Sequence, residues 1–176
     1  MIVNDPFSLL DVPLRYELDR ADLDRRMRRA AARLHPDRTR DPIAAEENAT
    51  RLAEMHAAAD LLRDDLKRAD RLIDLWGGPD ASGEQGLPDG FLESMLDVRM
   101  ELESALQAGD EQGIERLEAW ATSEWSERRQ AVAALLVGER PVPEDDRRAA
   151  RRELNRWRYI QRMLEQLHPS LASMDL

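Results

Sequence analysis

Arg33-Leu34-His35-Pro36-Asp37-Arg38 interrupts an arginine-rich helical run and is followed by a second, longer one. Pro36 has no amide hydrogen and disfavours the α region for the residue before it. A helix arriving from Leu23 is therefore predicted to stop near Leu34 or His35. That stop leaves His35 and Asp37 on an exposed loop. A later His-Pro step, His168-Pro169-Ser170, lacks the aspartate and reads as a helix stop alone.

Upstream of the loop, Leu23, Met27, Ala30, Ala31 and Leu34 recur every three or four residues and predict one core-facing stripe on a helix beginning at Asp19 or Ala21. Arg25, Arg26, Arg28, Arg29 and Arg33 fall mostly on the remaining surface. Between Arg20 and Arg40 eight arginines face three aspartates, so this segment carries +5 in a chain whose net charge is −10. Further upstream, Asp5 and Pro6 can start a short helix carrying Phe7, Leu9 and Leu10, which Asp11-Val12-Pro13 ends.

Downstream, Asp41-Pro42 predicts the start of a long helix. Ala45, Ala49, Leu52, Met55 with His56, Ala59, Leu62, Leu66, Ala69, Ile73 and Trp76 form a seam expected to pack on the arginine-bearing helix. Asp64-Asp65 marks a bend between a third and a fourth helix along this seam, because short polar side chains compete there for backbone hydrogen bonds. The stretch from Gly77 to Pro88 gathers glycine, proline and polar residues without periodicity and reads as a linker. Beyond it, three antiparallel helices are expected. The first starts at Pro88 or Asp89 and runs through Phe91, Leu92, Met95, Leu96, Met100, Leu102 and Leu106 to Gly109. The second is capped by Asp110 and ends at Val137-Gly138. The third follows Pro141-Val142-Pro143 and carries Leu154, Trp157, Tyr159, Ile160, Met163, Leu164 and Leu167.

Composition agrees with an all-α chain: aromatics are 5% of 176 residues, and no period-two strand pattern occurs. No window holds 18 consecutive apolar residues, and Met1-Ile2-Val3-Asn4-Asp5-Pro6 lacks the order of a signal peptide, so a soluble, cytoplasmic protein without a membrane segment is expected. With no cysteine and only three histidines, neither a metal nor another cofactor is expected. No serine, cysteine or second histidine stands at an evident pairing distance from His35, so no enzyme activity is expected. The acidic net charge disfavours nucleic-acid binding, although Arg25 to Arg33 is the face that such a regulator would use.

The His-Pro-Asp tripeptide between helices resembles the signature of J-domains, the modules that stimulate DnaK-type ATPases. The whole order, from short helix to basic helix, His-Pro-Asp, long helix, linker and helical bundle, resembles the HscB family of J-domain co-chaperones for iron–sulfur cluster assembly. The segment Leu62-Arg63-Asp64-Asp65-Leu66-Lys67-Arg68-Ala69-Asp70-Arg71-Leu72-Ile73-Asp74-Leu75-Trp76-Gly77 looks like that family's run before a glycine. Phe91-Leu92, Leu96, Arg99, Leu102 and Arg158-Tyr159-Ile160 resemble the stretches of its scaffold-binding face.

This resemblance implies an N-terminal J-domain (1–76), a linker (77–88) and a three-helix scaffold-binding domain (89–176). It implies chaperone contacts at His35, Pro36, Asp37, Arg25, Arg28 and Arg29, and contacts to an IscU-type iron–sulfur scaffold at Leu92, Leu96, Asp97, Met100 and Tyr159. The chaperone partner would be a DnaK/HscA-type ATPase. The chain departs from the family at Leu34, where an aromatic is usual, at Arg38-Thr39, and at Glu93, Met100 and Ser104. A J-domain serving another client is the alternative reading.

Overall fold

Aspartates set most of the helix starts. In the computed structural model, which describes residues 5–35, 39–80 and 86–167, Asp5 accepts from the amides of Phe7 and Ser8 to start α1 (Pro6–Leu9). Asp19 accepts from Ala21 and Asp22 to start α2 (Arg20–Leu34), and Asp41 from Ile43 to start α3 (Pro42–Arg63). Asp64, in an extended conformation, ends α3 and caps α4 (Asp65–Leu75), at the bend expected between a third and a fourth helix. Gly90, left-handed at φ 78°, precedes α5 (Phe91–Ala108) without a side-chain cap, slightly later than the sequence predicts. Asp110 caps α6 (Glu111–Leu135), and α7 (Glu144–Leu167) opens on three acidic residues. Each cap satisfies amides that a first turn leaves unpartnered, and acids there complement the helix dipole. Among the described residues the chain is all-helical, and no helix is long and apolar enough to cross a membrane.

The apolar stripe of α2 meets the base of α3. Leu23, Met27 and Ala30 are buried with Ala58, Ala59 and Leu62, beside Phe7, Leu10 and Tyr16. Arg63 pairs with Asp24 at 2.8 Å, which holds the two helices antiparallel. The long seam predicted for α3 is buried only in part: Ala49 and His56 are exposed, and Ile43, just before the seam begins, is 70% exposed. Leu9 of α1 and Ile43, Glu46, Glu47 and Thr50 of α3 line one open groove, so the first turns of α3 are covered only loosely.

Pairs across α6 and α7 run in opposite senses: Arg128 donates to Glu153, while Trp125 donates to Gln161 and meets the Trp157 ring edge-on at 5.4 Å. Arg116 and Glu101 likewise set α5 antiparallel to α6. α5 and α7 therefore share a direction. Leu102, Leu117, Ala121, Ile160, Met163 and Leu164 form a smaller core between these three helices.

The larger core does not stop at the expected linker. Val132, Leu136, Ala150, Leu154 and Trp157 belong to the same buried cluster as Phe7, Leu23, Leu62, Leu72 and Ile73. One end of the long α6–α7 hairpin closes the N-terminal helices, while the other packs on α5. The glycines at the start of the linker are part of this packing. Gly77 is left-handed at φ 70°, and a Cβ on Gly78 would lie 2.5 Å from the Ile73 side chain. The Gly78 amide donates to the Ile73 carbonyl at 2.9 Å, a left-handed helix stop.

Two arginine centres join the halves. Arg68 is buried, donates to the carbonyls of Tyr16 at 2.7 Å and Leu62 at 2.5 Å, and pairs with Asp65, which Arg129 of α6 also grips. Arg151 of α7 is fully buried; it donates to the Pro79 carbonyl at 2.7 Å and to Asp74 at 3.1 Å, and pairs with Asp70. Burial pushes the Asp65 carboxyl up, but Arg68 and Arg129 together outweigh this and hold it below the usual carboxylate range. A depressed folded-state value means that the Asp65 contribution is complete above the unfolded value and is lost as pH falls through the folded one.

A core that crosses the linker predicts one cooperative unfolding transition for the whole chain in scanning calorimetry. Its midpoint should fall as pH drops below about 4, the ordinary aspartate value. Two separated transitions would contradict the shared core.

Candidate functional site

α2 carries its charge unevenly. Arg26 pairs with Asp22 and Asp11, each at 2.7 Å. Arg25 pairs with Asp22 at 3.0 Å and Asp19 at 3.6 Å. The hydrogen bond from Arg26, reinforced by Arg25, holds the Asp22 carboxyl below its ordinary value even against desolvation. Arg28, Arg29 and Arg33 are exposed and form no ion pair among the described residues. The unbalanced positive charge thus lies on the C-terminal half of α2. Arg25, a candidate from the sequence, is largely neutralised by its own neighbours. Arg33, outside the candidate set, joins Arg28 and Arg29; its place one turn after Arg29 was the available signal.

His35 caps this helix at φ −58° and ψ 130°, the extended geometry imposed on a residue before proline, and is exposed. Pro36 and Asp37, the other two candidates of this loop, lie outside the described residues.

The second surface is on α5. Met95, Val98, Leu102 and Ala105 turn towards the small core. Leu92, Leu96 and Met100, spaced by four, remain 53%, 57% and 53% exposed. Glu93 and Asp97 are exposed beside this stripe. Helical periodicity would by itself send such residues inward, but α6 and α7 occupy only the adjoining face of α5. Tyr159 is 39% exposed and sets its ring edge-on to Phe91 at 5.8 Å, which brings α7 to the residue just before Leu92. Tyr159 thus arrives from a helix parallel to α5, not from an antiparallel neighbour.

The matched stretches divide between surface and core. Leu102 and Ile160 are buried, and Arg158 turns away to pair with Asp70 at 2.8 Å. The structure therefore presents a basic helix end beside His35 on one helix hairpin and an apolar, acid-rimmed stripe on another helix. Among the described residues no group of three or more histidines or carboxylates is arranged to hold a metal ion.

Comparisons with known proteins agree with this layout. A family model described as the HSCB C-terminal oligomerisation domain matches residues 87–168. A protein of Ralstonia nicotianae named as a co-chaperone protein HscB homolog is 36% identical over 138 residues, covering 75% of this chain and 77% of that protein. The solved structure of chaperone HscB from Vibrio cholerae superposes with a TM-score of 0.77 at 22% identity, covering 94% of this chain and 96% of that one. The human co-chaperone protein HscB superposes with a TM-score of 0.79 at 21% identity, covering all of this chain and 85% of that one. At these identities the two structures speak for the fold, an N-terminal J-domain followed by a C-terminal helical domain.

Exposure and burial on α5 make a direct forecast for stability. Replacing Leu92, Leu96 and Tyr159 together by alanine should cost no more than about 1–2 kcal/mol, since exposed truncations are small individually. Replacing the buried Leu102 alone should cost about 2–5 kcal/mol. Denaturant unfolding of the full chain checks both values, and a reversed order would assign the stripe to the core.

Proposed function

Because the chain belongs to the HscB family of co-chaperones, we propose that it binds an IscU-type iron–sulfur scaffold protein, delivers it to a DnaK/HscA-type chaperone and stimulates that chaperone's ATPase. On this reading it is an adaptor without a reaction of its own and works in the cytoplasm. Residues 1–76 act as the J-domain, 77–88 as the connection and 89–176 as the scaffold-binding part.

The observation that supports this most directly is the separation of two chemically different surfaces on one chain. A positive helix end acts at a distance: Arg28, Arg29 and Arg33 raise the rate of encounter with an acidic surface, an effect that salt screens. Arg25 contributes less, because Asp19 and Asp22 already balance it. His35, Pro36 and Asp37 then supply short, directed contacts that a diffuse field cannot.

The apolar stripe works by the opposite physics. Leu92, Leu96, Met100 and Tyr159 release water on docking and act as anchors, with Asp97 at the rim favouring a partner that carries basic groups around an apolar centre. The two surfaces need not compete, since one lies on α2 and the other on α5 with Tyr159 of α7.

Three measurements test the assignment. His35→Gln should leave the circular dichroism spectrum unchanged and abolish ATPase stimulation in single-turnover assays; normal stimulation would remove the loop from the mechanism. Replacing Arg28, Arg29 and Arg33 by alanine should slow association with the chaperone at low salt by about tenfold or more and flatten its salt dependence, with a smaller effect on dissociation. An unaltered association rate would return these arginines to an ordinary solvated surface. The Leu92, Leu96 and Tyr159 triple variant should lose scaffold binding in calorimetry while still stimulating the ATPase without scaffold. Retained binding would move the interface elsewhere.

A further inference from the structure

A glycine- and proline-containing connection between two helical parts ordinarily permits relative motion, unless their interface is large and specific. Here the interface holds one fully buried guanidinium. Arg151 directs Nε to the Pro79 carbonyl at 2.7 Å and Nη2 to Asp74 at 3.1 Å, with Nη1 on Asp70. Asp70 and Asp74 stand one turn apart on α4, and Arg158 binds the second oxygen of Asp70 at 2.8 Å. Ala150, Leu154 and Trp157 beside Arg151 also bury against the N-terminal helices. Apolar burial alone is non-directional and tolerates a roll or slide of α7 on α4. A planar, forked donor whose acceptors come from both the linker backbone and α4 is satisfied in one arrangement only.

We propose that Arg151 is a positioning residue: it holds the α2 and α5 surfaces in one fixed relation, and this relation lets bound scaffold enhance ATPase stimulation by the chaperone. The second half of this statement rests on the function proposed above. α2 packs on α3, which joins α4, and α5 packs on α6, which pairs with α7, so the α4 contacts with α6 and α7 are the main route between the two surfaces. With that route rigid, scaffold docked on α5 is presented to a chaperone docked on α2 at one distance and angle. If α7 were free to roll on α4, the same two binding events would spread over many arrangements and the effective concentration of scaffold at the chaperone would fall.

The native chain has no cysteine, so spin labels at Ala53→Cys and Ser104→Cys, both exposed positions, report the relation between the halves in the full protein. The parent should give a narrow distance distribution. Arg151→Met should broaden it while helical content is retained. Scaffold affinity and scaffold-free ATPase stimulation should stay within about twofold of the parent, because neither Arg151 nor the acceptors it holds belong to either docking surface. The additional stimulation caused by scaffold should fall about tenfold. Arg151→Lys, which keeps the charge without the fork, should behave like the methionine variant.

A distribution that stays narrow would overturn the positioning role. A broad distribution with full scaffold enhancement would overturn the coupling. Should the methionine variant not fold, the lysine variant carries the same readouts. Failure of both to fold would show that Arg151 holds the fold rather than the relation between surfaces, and the proposal falls. A parent protein that neither binds scaffold nor stimulates the ATPase would sink the proposed function and the coupling with it, while the label distances would still decide the clamp.

Discussion

A charged side chain with no solvent contact is a demanding thing to build, and the arrangement of this chain follows from how Arg151 is accommodated. Its guanidinium needs acceptors on every side, because burying it without them would cost several kcal/mol. α4 supplies two carboxylates one turn apart, and the linker backbone supplies a carbonyl. The linker carbonyl is available because Gly77 and Gly78 turn the chain back against Ile73, a path that a Cβ on Gly78 would obstruct. The halves are thereby joined through the end of α4, and the same crossing brings Trp157 and Leu154 into the core of the N-terminal helices.

Asp65 does related work nearby. It receives Arg68 from its own helix and Arg129 from α6, with Arg20 of α2 at 3.6 Å. Arg68 also ties the Tyr16 and Leu62 carbonyls and stacks 4.9 Å over the Tyr16 ring. One aspartate thus gathers three helices. The run Leu62 to Gly77, which resembles the family more specifically than the tripeptide does, contains Asp65, Arg68, Asp70 and Asp74. Those residues are engaged in holding the chain together and are not free for a partner. A specific motif in this protein marks a joint, while the surfaces with unsatisfied charge or exposed apolar area lie elsewhere.

Those two surfaces differ in what the fold leaves undone. On α2, Asp19, Asp22 and Asp11 balance the first arginines, while Arg28, Arg29 and Arg33 form no ion pair among the described residues, so the residual field concentrates towards His35. On α5, inward packing uses one stripe, and among the described residues no helix covers the neighbouring stripe of Leu92, Leu96 and Met100.

The sequence by itself determined the helices. Asp5, Asp19, Asp41, Asp64 and Asp110 announced their starts, because capping is local chemistry between a side chain and amides two or three residues on. Pro36 and Gly109 announced two of the stops for equally local reasons. It also carried the exposure of His35, through the constraint that proline places on its predecessor. What only the tertiary structure decided is which equivalent-looking stripe faces inward. Ala49 and His56 fit the α3 seam yet lie in solvent, and Leu92 and Leu96 fit an α5 core yet lie outside, because burial depends on which helix arrives, not on spacing. The charge left on α2 was hidden for the same reason: Asp11 reaches Arg26 from another segment, and Asp24 is taken by Arg63 of α3. Arg151 was the least legible residue of all. In sequence it is one arginine among several on α7, and only the arrival of α4 and the Pro79 carbonyl turns it from a surface cation into the buried centre of the joint.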